Sequence, residues 1–420
     1  MPDTPGPGPA GAEQPTKPPT PKGFWVIWST VALDQIVFAM ILPVLPLLAK
    51  TYGASAVQIT ALVSVFALAQ FLVSPFVGAL SDRYGRKPIL VISLFGSALG
   101  SLIVGLAGAL PLIFLGRAVD GFSGTALVSA QTAVTDMVGP RHRARFLGLM
   151  GSAFAVGFIV GPALSLLASL VNARLPYFIA AGLALVNAVV AIVRLPETRP
   201  VAEGEALARE HAGGNGDRSP FAVFRNAGSL RPATWFYIAV LAGALLAFAS
   251  VEGGTFTLLA NDRLGFDASA VAGVFVWIGF VLALVQVRLV GPANARLGIR
   301  LAIGAALGLN VIGFAVLAAA GRAWVMLAGV TLFTVGQGLI RPTCTTAVSN
   351  SVDPRYRGLA IGTQTSAQGL VRIVGPLIAG ALYAGVGVGA PFAVAAAISA
   401  VVAAMVLTLG TRWDAAVAGA

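Results

Sequence analysis

Asp34, Arg117, Asp120, Glu252, Arg341 and Arg372 are ionisable side chains set inside long apolar stretches of this 420-residue chain. A charge held at the middle of a bilayer costs about 2.5–3.5 kcal/mol on insertion scales. Each of these residues is therefore a candidate for moving a proton, holding a charged ligand, or pairing with another. Asp34 is the sharpest. In Thr30-Val31-Ala32-Leu33-Asp34-Gln35 no basic residue stands within two helical turns. A carboxyl group buried without a countercharge favours its protonated form, so it can take up a proton and release it again. The alternative is a structural carboxylate, hydrogen-bonded to a Ser, Thr or backbone group of another helix. Asp34 and the adjacent Gln35 are also candidate substrate contacts.

Arg117 and Asp120 stand three residues apart on one helical face and can pair. Pairing would keep Asp120 charged and make it a poorer proton site than Asp34; the two then form either a proton-exchange site or a structural ion pair. Glu252 lies in the outer half of its stretch, where it pairs with an Arg, acts as a second proton site, or sits at the rim. Arg341 and Arg372 either meet acids across the bundle or hold an anionic group of a substrate.

The elements that must position these residues are membrane helices. The composition is 57% hydrophobic and 10% charged, with 50 Gly and 25 Pro, against about 25% charged residues in soluble domains. Apolar spans are expected at 24–49, 56–80, 88–109, 111–137, 145–171 and 174–195, and again at 233–259, 268–290, 300–320, 323–349, 357–385 and 390–411. The expected fold is all-α, with twelve transmembrane helices in two pseudo-symmetric six-helix halves, 23–195 and 232–411. A proline-rich tail (1–22), a polar linker (196–231) and a short tail (412–420) complete the chain. The first tail reads as disordered and cytoplasmic, since no short apolar segment with a cleavage site follows it.

A net charge of +11 would fit a polyanion partner, but its placement argues otherwise. Most Lys and Arg fall on one side of the predicted topology, with Lys50, Arg174, Arg263 and Arg322 on the other. That is the bias of cytoplasmic loops, so both termini and the linker are expected in the cytoplasm and no nucleic-acid partner is expected. The lone Cys344, with His142 and His211 both in loops, provides no metal cluster, and no GxxxxGK(S/T) loop for ATP occurs. No metal and no cofactor are expected.

The halves repeat. Thr132-Ala133-Val134-Thr135-Asp136 through Pro140-Arg141-His142-Arg143 returns 214 residues later as Thr346-Ala347-Val348-Ser349-Asn350 through Pro354-Arg355-Tyr356-Arg357. The same offset carries Ile159-Val160-Gly161-Pro162 to Ile373-Val374-Gly375-Pro376. It sets Arg341 opposite Leu127 and Arg372 opposite Phe158, so the repeat itself does not require these cations. Two homologous halves are the usual build of secondary transporters, with the binding site near the midplane between them.

Three motifs carry a resemblance. Gly78-Ala79-Leu80-Ser81-Asp82-Arg83-Tyr84-Gly85-Arg86-Lys87-Pro88 reads as a charged turn between spans 2 and 3. It resembles the signature loop G-x-L-x-D-R-x-G-R-(K/R) of the major facilitator superfamily. Gly157-Phe158-Ile159-Val160-Gly161-Pro162 resembles the span-5 motif G-x-x-x-G-P of exporters in that superfamily, although Ser165 and Leu166 stand where two more glycines are usual. Pro43-Val44-Leu45-Pro46, at the end of span 1, resembles the matching segment of tetracycline and multidrug exporters.

The resemblance implies a drug/proton antiporter: proton-coupled efflux of a small amphiphile by alternating access, from a multi-pass protein of the cell inner membrane. It implies that Arg117, in R-x-x-x-G with Gly121, modulates proton exchange, although Asp120 replaces a common Gln. It also implies a latch in which Asp82, Arg86 and Asp136 clamp the cytoplasmic side when the carrier faces outward. Their repeat-mates are Ala295, Ile299 and Asn350, so all three charges are absent together from the second half. Three intramembrane acids balance three bases, which suits a zwitterionic or weakly anionic substrate better than a simple cation. The chain is expected to be a monomer in the bilayer. A proton-coupled uptake symporter or an uncoupled facilitator of a small metabolite would share this fold.

Overall fold

The computed structural model describes residues 21, 23–124, 126–138, 143–197, 228, 230–353 and 356–413, and the side chains at 82, 127, 128, 135, 136, 143–145, 147, 148 and 413 fall outside that description. The tail and linker expectations therefore lie almost wholly outside the described residues.

Among the described residues the regular structure is helical. The first half contains α1 (Phe24–Ile41), α2 (Leu45–Thr51), α3 (Ala56–Tyr84), α4 (Arg86–Leu106), α5 (Leu110–Ser123), α6 (Ala126–Met137), α7 (Arg143–Ser169) and α8 (Leu175–Arg194). The second contains α9 (Pro232–Glu252), α10 (Thr255–Leu264), α11 (Ala268–Arg288), α12 (Val290–Ala318), α13 (Ala323–Asn350), α14 (Arg357–Gly385) and α15 (Ala390–Leu409). Eleven described helical segments are long and apolar enough to cross a membrane. The remaining span is α5 plus α6, neither long enough alone, interrupted just after Ser123. The arrangement is an all-α bundle of twelve spans.

Local chemistry explains where helices start. Pro46, Pro111, Pro176, Pro232 and Pro391 occupy the first or second helical position, where a missing N–H costs nothing and φ is already set. Ser55 accepts from the Gln58 N–H while the Gln58 side chain accepts from the Ser55 N–H, a capping box that opens α3. Asp267 accepts from the Ala270 N–H at 2.8 Å and opens α11.

The structure redraws two sequence features. The charged turn expected at 78–88 narrows to a single residue: α3 continues to Tyr84, α4 restarts at Arg86, and Gly85 alone leaves the helix, at φ 97° and ψ 162°. Its repeat-mate Gly298 does the same inside α12, at φ 73° and ψ 165°. Pro43 and Pro46 do not end span 1 but interrupt it, and the chain resumes as α2. Span 7 breaks likewise at Gly253-Gly254, between α9 and α10.

Cores differ between the two ends of the bundle. At the end carrying Gly85 and Gly298 each half has its own core. Phe24, Leu90, Val134 and Phe146 belong to the first half, and Leu241, Ile303, Val348 and Val406 to the second. At the opposite end the cores are shared: Leu258 joins Leu45, Leu48 and Ile59, and Leu42 and Leu47 pack on the cluster around Phe256 and Phe314. The halves are thus sealed at that end and part toward the Gly85 end.

Candidate functional site: charged groups in the gap between the halves

The helix bearing Asp34 is clamped from behind. A Cβ at Gly157 would fall 2.4 Å from the Gln35 Cβ, and one at Gly161 would fall 2.7 Å from the Ile36 carbonyl oxygen. The two glycines of the span-5 motif therefore let α7 lie directly on α1, one turn from Asp34. The second half repeats the contact, since a Cβ at Gly375 on α14 would fall 2.4 Å from the Ala249 Cβ on α9. Pro162 and Pro376 both sit inside unbroken helices.

Phe38 fixes which way Asp34 looks. Residues i and i+4 share a helix face, and the Phe38 ring meets Phe66 and Phe158 at centroid distances of 5.7 and 6.4 Å. The Arg372 guanidinium of the other half stands 5.7 Å from the same ring. Asp34 accordingly faces the gap between the halves. Its described hydrogen bond is from Gln35 Nε2, at 3.1 Å, and no ion pair reaches it among the described residues. The side chain is half-buried, whereas Gln35 is buried against α7.

The other intramembrane charges sort into pairs, with one left over. Arg117 Nη1 donates to Asp120 Oδ2 at 2.7 Å, and both residues are buried. The Arg117 guanidinium also lies over the Phe66 ring at 4.3 Å. Ser97 of α4 stands close to the Asp120 carboxylate. Arg372 Nη2 donates to Glu252 Oε1, likewise at 2.7 Å, from α14 to α9. Arg341 has no acid partner among the described residues. It donates from Nη2 to Gln368 Oε1 at 3.1 Å and is exposed, yet it lies within electrostatic range of Glu252 and Arg372. Gln368 beside it and the nearby Arg372, which reaches Phe38 of the first half, put it on the side of α13 toward the gap.

Depth separates these groups into two levels. At 1.5 Å per residue, Asp34 stands about 15 Å along α1 from Phe24, and Arg341 about 14 Å along α13 from Asn350. Both distances run from the Gly85 end of the bundle. The Arg117–Asp120 and Arg372–Glu252 pairs occupy the level beyond, nearer the sealed end. Among the described residues, the intramembrane acid of the first half and the intramembrane base of the second that have no ion pair thus stand at one depth.

At the Gly85 end, Arg86 is buried and its Nη1 donates to Ser81 Oγ at 3.1 Å, while Arg83 is exposed against the Tyr84 ring. Asp82 lies on α3 and Asp136 on α6, with side chains outside the described residues, and Gly78 has open space where a Cβ would be. Sequence reasoning missed Glu197. Its carboxylate accepts from the backbone N–H of Arg86 (2.9 Å) and of Lys87 (3.2 Å), capping α4 from just past the end of α8. A carboxylate suits a helix N-terminus, where unpaired N–H groups and the helix dipole favour negative charge.

Gly85 meets two demands at once: its φ of 97°, and a Glu197 oxygen 2.6 Å from where a Cβ would stand. Gly85→Ala is therefore expected to destabilise the fold by about 1–3 kcal/mol. Thermal unfolding in detergent measures it, and an unchanged midpoint would mean that the junction relaxes freely.

The sealed end has its own polar cluster, also absent from the sequence reading. Lys50 bonds Asp262 and Asn261 across the halves, and Tyr383 Oη donates to Asp262 Oδ2 at 2.6 Å. A hollow of about 350 Å³ beside it is lined by Val44, Leu47, Lys50, Asn261 and Asp267. It is separate from the gap that holds Asp34 and Arg341.

Two pseudo-symmetric helical halves, sealed at one end and parted around buried charges, define a membrane transporter. The chain belongs to the Major Facilitator Superfamily, whose family model matches residues 27–291 and 283–416. It is 30% identical to Tetracycline resistance protein, class C, of Escherichia coli over 86% of this chain and 89% of that protein. It is 32% identical to the class G protein of Vibrio anguillarum (84% and 88% covered) and 26% identical to Multidrug resistance protein 2 of Bacillus subtilis (86% and 88%). Among solved structures, the human organic anion transporter MFSD10 superposes with a TM-score of 0.67 at 24% identity, covering 91% of this chain and 98% of that one. The nucleoside transporter NupG superposes with a TM-score of 0.72 at 16% identity, covering 92% and 98%.

Proposed function

We propose that this protein exports a small amphiphilic compound across the cytoplasmic (inner) membrane in exchange for protons. The observation that carries the reading is Asp34: a gap-facing carboxylate with no ion-pair partner among the described residues, on a helix held by the span-5 glycines. The relatives named for tetracycline and multidrug resistance, matched over most of their length, support it.

In this reading residues 23–195 and 232–411 are the two rocking halves, joined by a cytoplasmic linker at 196–231, and both termini are cytoplasmic. The Gly85 end faces the cytoplasm, so the structure corresponds to the inward-open state. Asp34 carries the proton, and Gln35, packed against α7 and so turned away from the substrate, donates a hydrogen bond to Asp34. Arg117 and Asp120 tune its field from the level above. Arg341 holds substrate, and the Arg372–Glu252 pair closes the level beyond it. Asp82, Arg86 and Asp136 form the latch of the outward-facing state.

Expression in an efflux-deficient bacterial host tests the direction of transport. Cells should accumulate less of a tetracycline or fluoroquinolone and tolerate more of it, and a protonophore should abolish the difference. Raised accumulation would instead identify an uptake symporter.

A further inference from the structure

We infer that the exported compound is a zwitterion whose cationic group sits on Asp34 and whose anionic group sits on Arg341. This rests on the proton-exchange reading of the same gap and narrows it. The argument begins from what the pairing leaves over. Arg117 is neutralised by Asp120 and Arg372 by Glu252, so among the described residues an acid of the first half and a base of the second are the unpaired charges at their depth. Among the described residues Asp120 acts electrostatically on Asp34, and Glu252 and Arg372 act on Arg341.

Exchange requires that proton and substrate exclude one another, and linkage makes that exclusion reciprocal. A simple cation competes with the proton at Asp34 but enters a gap that already holds the Arg341 charge. A simple anion binds Arg341 best when Asp34 is protonated, because the bare carboxylate repels it. Proton and anion would then travel together, which is symport. A zwitterion satisfies both groups while Asp34 is ionised. Protonation of Asp34 removes the charge that holds its cationic end, so the proton takes that site and the substrate leaves. Gln368, bonded to Arg341 from α14, keeps the guanidinium in hydrogen bonds when no substrate is bound.

The test uses the full chain in proteoliposomes with an imposed pH gradient. The probes are ciprofloxacin, a zwitterion at neutral pH, its ethyl ester, which is a cation, and its N-acetyl derivative, which is an anion. Wild type should move the zwitterion at least about tenfold better than either derivative, the scale of one lost hydrogen bond to a charged group. Arg341→Gln should erase the zwitterion-over-ester preference while ester transport persists, and Arg341→Lys should keep part of it. An ester moved as well as the zwitterion, or a preference surviving in Arg341→Gln, overturns the charge assignment and leaves proton exchange standing. Movement of the N-acetyl anion together with protons, or no gradient-driven movement of any probe, overturns the exchange reading and this inference with it. If Arg341→Gln fails to reach the membrane, the wild-type and Arg341→Lys ratios decide.

Discussion

Asp34→Asn is expected to abolish transport driven by a pH gradient and to weaken substrate counterflow as well, because a neutral amide neither exchanges a proton nor holds a cationic group. The substitution is nearly isosteric and mimics the protonated carboxyl, so packing of α1 on α7 at Gly157 and Gly161 is untouched. What disappears is the ability to change charge. No ion-pair partner stands against Asp34 among the described residues, so no neighbouring base is left uncompensated by its loss. The expected decrease in gradient-driven rate is about 10²-fold or more, the scale on which loss of a proton-transferring side chain is felt. Proteoliposome uptake with and without a pH gradient, alongside substrate counterflow at equal pH, separates the two effects. Unchanged gradient dependence would remove Asp34 from the proton path and move attention to Glu252 and Asp120.

Arg117→Ala should be the most destabilising of the charge substitutions. It leaves the Asp120 carboxylate buried on α5 without the hydrogen bond from Arg117, and it also removes the guanidinium from the Phe66 ring. Breaking a buried pair from one side costs about 3–5 kcal/mol, because the partner's charge is stranded. Removing both members in Arg117→Ala/Asp120→Ala should recover much of that loss, with a coupling energy of about 0.5–3 kcal/mol. Thermal unfolding of the purified protein measures the cycle. If the double variant regains stability and still couples transport to the proton gradient, the pair is structural. If it folds but no longer couples, the pair belongs to the proton path. Additive losses in stability would show that the two side chains act independently.

The spans were legible in the sequence because hydropathy is a local property: twenty or so apolar residues announce a membrane helix without reference to any neighbour. Helix breaks were harder. Pro43 and Pro46 looked like an end because proline does end helices in water, whereas here the chain resumes as α2 and packs at the sealed end. The charged segment around Gly85 looked like a turn because its residues are polar. Yet helix formation continues to Tyr84, and the single glycine provides the whole change of direction.

For the charged residues, the sequence by itself set Asp34, Arg117, Asp120, Glu252, Arg341 and Arg372 within apolar spans, and it offered Arg117–Asp120 as a pair because three residues on one helix fix two side chains relative to each other. Partners on different helices follow from no such rule. Arg372 with Glu252, Phe38 beneath Arg372, Glu197 on the first turn of α4, and Arg341 left without an acid all depend on how each helix is rotated and how deep it sits. Those two quantities are set by close contacts such as Gly157 on Gln35 and Gly375 on Ala249, made between segments that are far apart along the chain. The apolar pattern therefore decides that charges are enclosed and which half carries each. Helix packing alone decides which of them are neutralised, and so which remain to meet a proton and a substrate.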